Sequence, residues 1–248
     1  MNDRGIWATW YDLPEKGREQ HLAWLHGTYI PKILKRPGVL WGAHYANAKI
    51  PPHSRLNHTE DKSVPTGNDF ILLFGGETAH AFTGGWEHFA KGGPDKREAD
   101  LTAEDREMLK MRVGERVCVF TEEGRADGPE AHRRGGKLTP AACIQLGSFN
   151  APGCEDELMS WYGDWRIPAL GRLPGCVGIR KLVSVIGRGE ARRALRVRLA
   201  RSARSQHAEA ALGVQGRRRV EQPLRAASAA RAELTGGGHP AVAAGLND

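Results

Sequence analysis

What this chain lacks narrows it first. No apolar run approaches the roughly 18 residues a membrane helix needs, so no membrane partner is expected. The opening "MNDRGIWATWYDL" has no basic region followed by an apolar core, so no secretory leader is expected, and the cytoplasm is the expected location. The four cysteines, Cys118, Cys143, Cys154 and Cys176, stand far apart, without CxxC and without a paired histidine. That spacing argues against a disulfide framework or a zinc site and for reduced thiols. Walker loops, GxGxxG after a strand, CxxCH and GxSxG are missing. Nucleotide, c-type haem and hydrolase readings therefore have no motif, and no cofactor or metal is expected.

Two further scarcities are regional. Aromatic residues stop at Trp165, Lys at Lys181 and Ile at Ile186. From Gly189 to Asp248 there are 11 Arg against 4 Glu and 1 Asp, so this tail holds +6 of the net charge of +7 and leaves the body at +1. A phosphate-binding groove would come almost wholly from the tail, which has no aromatic ring to stack on a base. Nucleic acid is therefore not the expected partner. The switch from residues with AT-rich codons to residues with GC-rich ones is what an out-of-frame reading of GC-rich DNA produces. Residues 189–248 read as a frameshift product or, alternatively, as a native disordered basic tail. A third reading makes the tail an Arg-rich nucleic-acid arm, with "RRALRVRLARSA" as a basic amphipathic helix in which Leu195 and Leu199 are four apart.

What is present is repetition. "WLHGTYIPKILKRPG" from Trp24 and "WYGDWRIPALGRLPG" from Trp161 share Trp, Ile-Pro and Pro-Gly at an offset of 137. At that offset "IWATWYDL" (6–13) falls on "CIQLGSFN" (143–150), and "VLWGAHYA" (39–46) falls on "CVGIRKLV" (176–183). Agreement along one offset predicts an internal duplication. Each copy reads as a β-prone strand, a helix opened by Pro14-Glu15 or by Gly153 with three acidic residues, a Pro-Gly stop and a second strand. Between the copies, "DFILLFGG" (69–76) and "ERVCVFTEE" (115–123) read as strands, and "LTAEDREMLKMR" (101–112) as a helix capped by Thr102 and Asp105.

Residues 1–125 thus form one βαββαβ unit, the split ferredoxin-like pattern. Residues 126–140 read as a linker, 141–188 as the βαβ half of a second unit, and 189–248 as the tail. The expected class is α+β, with duplicated ferredoxin-like units in a barrel-type arrangement and the second unit incomplete. A four-stranded sheet with helices on one face must pack its other apolar face on a second sheet, within the chain or in a homodimer.

"SWYGDWRIPALGRLPGCVGIRKL" closely, and "AWLHGTYIPKILKRPGVLWGAHY" more loosely, resemble the signature of the EthD-like proteins of the dimeric α/β-barrel superfamily. That signature is a Trp-Tyr-Asp stretch, His-X-Pro, then Pro-Gly and an apolar residue. The resemblance covers about residues 5–125 and 141–186, and two-unit members carry two such copies. It implies a small hydrophobic substrate, cyclic or aromatic, held between sheet and helices. It also implies cofactor-free isomerase, cyclase, decarboxylase or monooxygenase chemistry; the superfamily includes some haem enzymes and members without known activity as well. This chain departs at the histidine, which is Tyr29 in the first copy and Arg166 in the second.

The candidate acid–base residues are Tyr29, His44 and His26, and the candidate substrate-binding residues are Trp10, Trp41, Tyr45 and Arg166. An apolar aromatic pocket with few polar groups is the usual form of a small-molecule site. Each residue also has an ordinary structural reading: a hydrogen-bonded histidine, a core tryptophan, or an ion pair from Arg166 to Asp164 or Asp156. The glycine-rich segment 75–93, with His80, Glu87 and His88, reads as a lid or as a plain connection. His53 and His58 sit in a proline-rich loop. Two functions follow: an enzyme moving protons on a hydrophobic cyclic substrate, or a non-catalytic barrel that binds such a ligand.

Overall fold

The computed structural model describes residues 3–47, 67–83, 101–131, 141–149, 153–187 and 194–200. Among them the first unit comprises β1 (Gly5–Asp12), α1 (Arg18–Trp24), a π turn (Leu25–Tyr29), α2 (Ile30–Leu34), β2 (Val39–Ala46), β3 (Phe70–Gly76), α3 (His80–Thr83), α4 (Ala103–Lys110) and β4 (Val113–Asp127). The second comprises β5 (Cys143–Phe149), α5 (Glu155–Trp161), a π turn (Tyr162–Arg166), α6 (Ile167–Gly171), β6 (Cys176–Gly187) and β7 (Ala194–Ala200). No helix among the described residues is long and apolar enough to cross a membrane.

Local chemistry explains the helices. Pro31 and Pro168 have no N–H to give and clash with a carbonyl four residues back. The chain widens before each of them. Ile30 donates to the Leu25 carbonyl and Ile167 to the Tyr162 carbonyl, each five residues back. Such single π turns inside α-helices recur at functional sites. Gly38 and Gly175, at φ 79° and 78°, then turn each chain into its next strand through the left-handed region that favours glycine. α1 begins at Arg18, after Gly17, so Pro14-Glu15 precedes the helix rather than opening it. At α4 the expected cap is present: Thr102 Oγ1 accepts from the Asp105 N–H, and Asp105 accepts from the Thr102 N–H.

All neighbouring strands are antiparallel, in the order β2-β3-β1-β4-β6-β7-β5. The first four have the split βαβ order, and β6-β7-β5 repeats β2-β3-β1. A bulge repeats too. Val39 pairs with Gly76 and Trp41 with Gly75; in the second unit Cys176 pairs with Ala200 and Gly178 with Leu199. Following this register, Gly76 pairs with Gly5 and Ala200 with Cys143, so the first strands correspond at an offset of 138. The sequence alignment of 6–13 on 143–150 is therefore one residue out, because the second unit's strand-to-helix connection is one residue shorter. A one-residue slip exchanges the two faces of a strand.

Four further expectations are corrected. The linker does not start at 126, because β4 runs to Asp127. The second unit does not stop near 186: β7 lies in the aromatic-free region, between β5 and β6. "LRVRL" alternates with period two, the strand period, and not with the helical period read from Leu195 and Leu199. Finally, the units are not two separate sheets packed face to face. β4 pairs with β6 from Cys118 to Asp127, which makes one continuous seven-stranded sheet.

This sheet curls. One apolar cluster joins Ile6, Ala8, Trp10, Ile71, Leu73, Cys118, Phe120 and Leu182, with Ile144 and Leu146 of β5 packed on it. β5 is the edge strand farthest from β2 in pairing order, yet Tyr45 of β2 donates from its hydroxyl to the Ala141 carbonyl at 2.8 Å. The inner face thus meets itself. The outer face of the first unit carries the helices and a second cluster, with Trp7, Tyr11, Trp24, Leu25, Tyr29, Ile33, Leu72, Phe74 and Val119.

Near the β4–β6 seam lies a buried charge network. Arg180 reaches Asp3 at 2.8 Å and Glu122 at 2.5 Å; Arg125 reaches Asp3 at 2.6 Å and Glu122 at 2.8 Å. Burial pushes the Asp3 carboxyl up, but Arg180, Arg125 and Trp41 outweigh it and hold it below the usual range. Two acids against two guanidinia leave no buried net charge, which is the condition under which such a cluster is tolerated.

Candidate active site

The pleat of the sheet divides the sequence candidates. Trp10, Trp41 and Tyr45 belong to the inner face, whereas Tyr29 lies in the outer, helix-side cluster and His44 stacks there on Tyr11. The three aromatic candidates therefore do not share a pocket with the acid–base candidates. Trp10 packs edge-on to Phe120, with the Arg116 guanidinium 4.2 Å above its ring. The Trp41 N–H donates to Asp3 at 2.8 Å. All three have structural employment. Arg166 is buried at the end of the second π turn, with its guanidinium 5.9 Å from Trp161.

His44 and His26 are brought together, and a residue that the sequence reading passed over joins them. The wholly buried Tyr11 hydroxyl lies 2.9 Å from His44 Nε2, and His44 Nδ1 lies 3.1 Å from His26 Nε2. His44 stacks between Tyr11 and Phe70, which fixes its ring. His26 is exposed, on the π turn. The chain thus runs from a buried phenol to solvent through two imidazoles.

Burial pushes Tyr11 up to about 12, with Arg112 only partly offsetting it. Burial also lowers His44 to about 4, helped by the nearby His26, Arg112 and His21. At neutral pH the phenol is protonated and His44 is neutral. The assignment that uses every donor has Tyr11 donating to His44 Nε2 and His44 Nδ1–H donating to His26 Nε2.

Three groups surround this chain. The Arg112 guanidinium lies 4.5 Å from the Tyr11 ring centre and 5.7 Å from that of Tyr29. Arg112 Nη1 donates to Glu115 at 2.9 Å. His21, wholly buried, donates from Nδ1 to the Met108 carbonyl at 3.0 Å, since a carbonyl can only accept. Burial first, then Arg112, lowers His21 to about 4. Tyr29 is in the core beside Trp24, at 4.9 Å, and meets the site through Arg112. Trp24 is itself anchored by donation to Asp105 at 3.1 Å, and Lys32 reaches the same carboxylate at 2.6 Å.

Tyr11, Arg112 and His21 were missed because they stand on three separate elements with no motif linking them. For Tyr11 there was a signal. Strand alternation already placed it on the face opposite Trp10. Pairing of β3 with both β1 and β2 sets Phe70 opposite both Tyr11 and Ala46, and Leu72 opposite both Thr9 and His44. His80 begins α3, whereas Glu87, His88, His53 and His58 lie outside the described residues, and so does most of the lid segment. Among the described residues no group of three metal-ligating side chains occurs.

No family model and no curated protein matches this chain. Solved structures do. It is similar to an anthrone oxidase-like protein with a TM-score of 0.50 and 13% identity, over 83% of this chain and 76% of that one. A protein with a provisional monooxygenase name from Lactobacillus acidophilus NCFM gives a TM-score of 0.46 at 9% identity, over 82% and 80% of the two chains. One of the same description from Fusobacterium nucleatum subsp. nucleatum gives 0.46 at 10%, over 83% and 80%. The first of these likenesses supports a ferredoxin-like α+β fold and speaks to the fold alone.

Proposed function

We propose that this is an EthD-like two-unit protein, built from two copies of one ferredoxin-like unit, that moves protons on a small hydrophobic cyclic or aromatic substrate without a cofactor. The observation that carries the reading is the Tyr11–His44–His26 chain. Neither Tyr11 nor His44 holds a charge readily, with values near 12 and 4. A proton therefore crosses them only by concerted exchange. Substrate gives a proton to Tyr11 Oη as the Tyr11 proton passes to His44 Nε2. The His44 Nδ1 proton passes to His26 Nε2, and exposed His26 delivers it to water. The reverse order supplies a proton to substrate. Arg112, beside the phenol, favours the anion that forms. Two names among the similar structures, monooxygenase and anthrone oxidase-like, agree with small-molecule chemistry on this fold.

The test is exchange chemistry. The full chain is incubated in D₂O with hydrophobic cyclic ketones such as 2-tetralone, and deuterium uptake at the acidic C–H is read by mass spectrometry. Uptake above buffer, lost with Tyr11→Phe, supports the reading. Binding of such compounds, seen as a raised melting temperature, with no uptake for any of them favours the non-catalytic ligand-binding protein instead.

A further inference from the structure

We infer that the substrate carries a carboxylate, and that the Nε–Nη2 edge of Arg112 receives it. This deepens the proton-transfer reading and rests on it for the word substrate. The Arg112 side chain is fully buried, and Glu115 occupies only Nη1. Arg112 Nε and Nη2 have no hydrogen-bond partner among the described residues. These two N–H groups point the same way along one side of the guanidinium plane. Their spacing matches the two oxygens of a carboxylate, and this side-on fork is the geometry of strong bidentate recognition.

An alternative use of the fork within the protein would be cheaper for folding. A buried charged donor left unsatisfied costs more than a neutral one. Keeping two on one side chain is accounted for by a ligand that completes them. The surroundings agree. Wholly buried His21 Nε2 and Thr9 Oγ1 also lack partners among the described residues. Thr9 and Tyr11 alternate onto one face of β1, and the His21 and Tyr11 rings lie 5.8 Å apart. Since His21 Nδ1 carries the proton, its Nε2 is an acceptor. These residues therefore offer a cationic fork, an acceptor and a hydroxyl beside the Tyr11–His44–His26 chain, within the apolar cluster that contains Trp24 and Leu72 and has Phe70 packed against it. A planar carboxylate on an apolar ring fits that combination.

The experiment compares two isosteric probes on the full chain by calorimetry, 2-naphthoate and 2-naphthamide. Naphthoate is expected to bind at least ten-fold more tightly. Arg112→Lys keeps the charge but not the fork, and it is expected to remove at least ten-fold of naphthoate affinity while leaving the amide unchanged. Equal binding of the two probes, or binding of neither, by the unmodified protein overturns the inference without any variant that must fold. Retention of naphthoate affinity in a folded Arg112→Lys protein overturns it as well. Failure here is separable from failure of the proton-transfer reading. Carboxylate preference with no deuterium uptake by any substrate keeps the fork and sinks the chemistry. Uptake by neutral ketones together with equal binding of naphthoate and naphthamide keeps the chemistry and sinks the fork.

Discussion

The two units place different side chains on one framework. His44 and Lys181 occupy corresponding positions on β2 and β6, His44 opposite Leu72 and Lys181 opposite Arg196. His44 joins a hydrogen-bond chain, whereas Lys181 is held by Glu123 at 2.9 Å. His26 corresponds to Gly163, and Tyr29 to Arg166. Trp24 is buried under α4 through Asp105, while Trp161 is half-buried and stacks on Trp165 at 5.5 Å. Among the described residues no counterpart of α4 covers the second helix. The bulge, the π turn and the left-handed glycine are backbone features, and they recur. The Tyr11–His44–His26 hydrogen-bond chain is made of side chains, and it occurs once among the described residues. A framework can thus be shared where a site is not.

The sharpest way to break this contrast is to write the second unit's residue into the first. His44→Lys is expected to lower turnover on the order of 10²-fold or more, while Lys181→His creates no activity. Unchanged deuterium uptake per folded His44→Lys molecule would refute the role of His44. Next in size, Asp105→Ala removes the α4 cap, the Trp24 acceptor and the Lys32 partner together. It should cost roughly 2–4 kcal/mol in urea denaturation, a loss for which the described part of the second unit has no parallel.

The pH response belongs to the first unit as well. His21 and His44 are lowered to about 4 in the folded chain, against 6.5 for the free side chain. Below 6.5 the unfolded chain takes up protons that the folded one refuses. Stability therefore falls as pH drops from 6.5 towards 4, by about 1.4 kcal/mol per pH unit for each histidine. Urea midpoints between pH 4.5 and 7 read this, and His44→Gln should flatten the slope. The depressed carboxyls of Asp3 and Asp105 lose their contribution only below their ordinary value of 3.8 and so stay outside this window. The smallest effect tests what the units share. Gly38→Ala and Gly175→Ala, at φ 79° and 78°, should each cost about 1–2 kcal/mol, and a clear inequality would break the equivalence of the two turns.

Much of the framework was legible because it depends on spacing. Ile-Pro and Pro-Gly fix where a helix widens and where it stops, and both are visible at Trp24 and Trp161. Register was less legible. The offset changes from 137 at the helices to 138 at the first strands through a one-residue difference in a connection, and no single alignment shows that. The alternation of "LRVRL" was there to be read, but its arginines drew attention to charge instead of period. Of the site, His26 and His44 were found by residue type. Tyr11 and Arg112 needed the fold, because strand pairing and the loop after α4 bring together residues 11, 44 and 112. Trp10, Trp41 and Tyr45 were attractive as aromatics, but parity along the strand sends them to the other face.

The π turn beginning at Leu25 has a consequence for length. A π turn holds one residue more than an α turn, and one residue is about 100° of helical rotation. Counted by residue number α1 and α2 are therefore out of step by that angle, while in space the π turn keeps them in phase. His21 and Trp24 before the joint, and Ile33 after it, all reach the same core. Deleting one residue of the joint, for example Thr28, would close it to an ordinary α turn and keep Trp24 and Ile33 facing inward together, and only the extra residue in the turn that carries His26 would be lost. Here one residue of chain length is taken up within a single turn, and the rest of the helix keeps its phase.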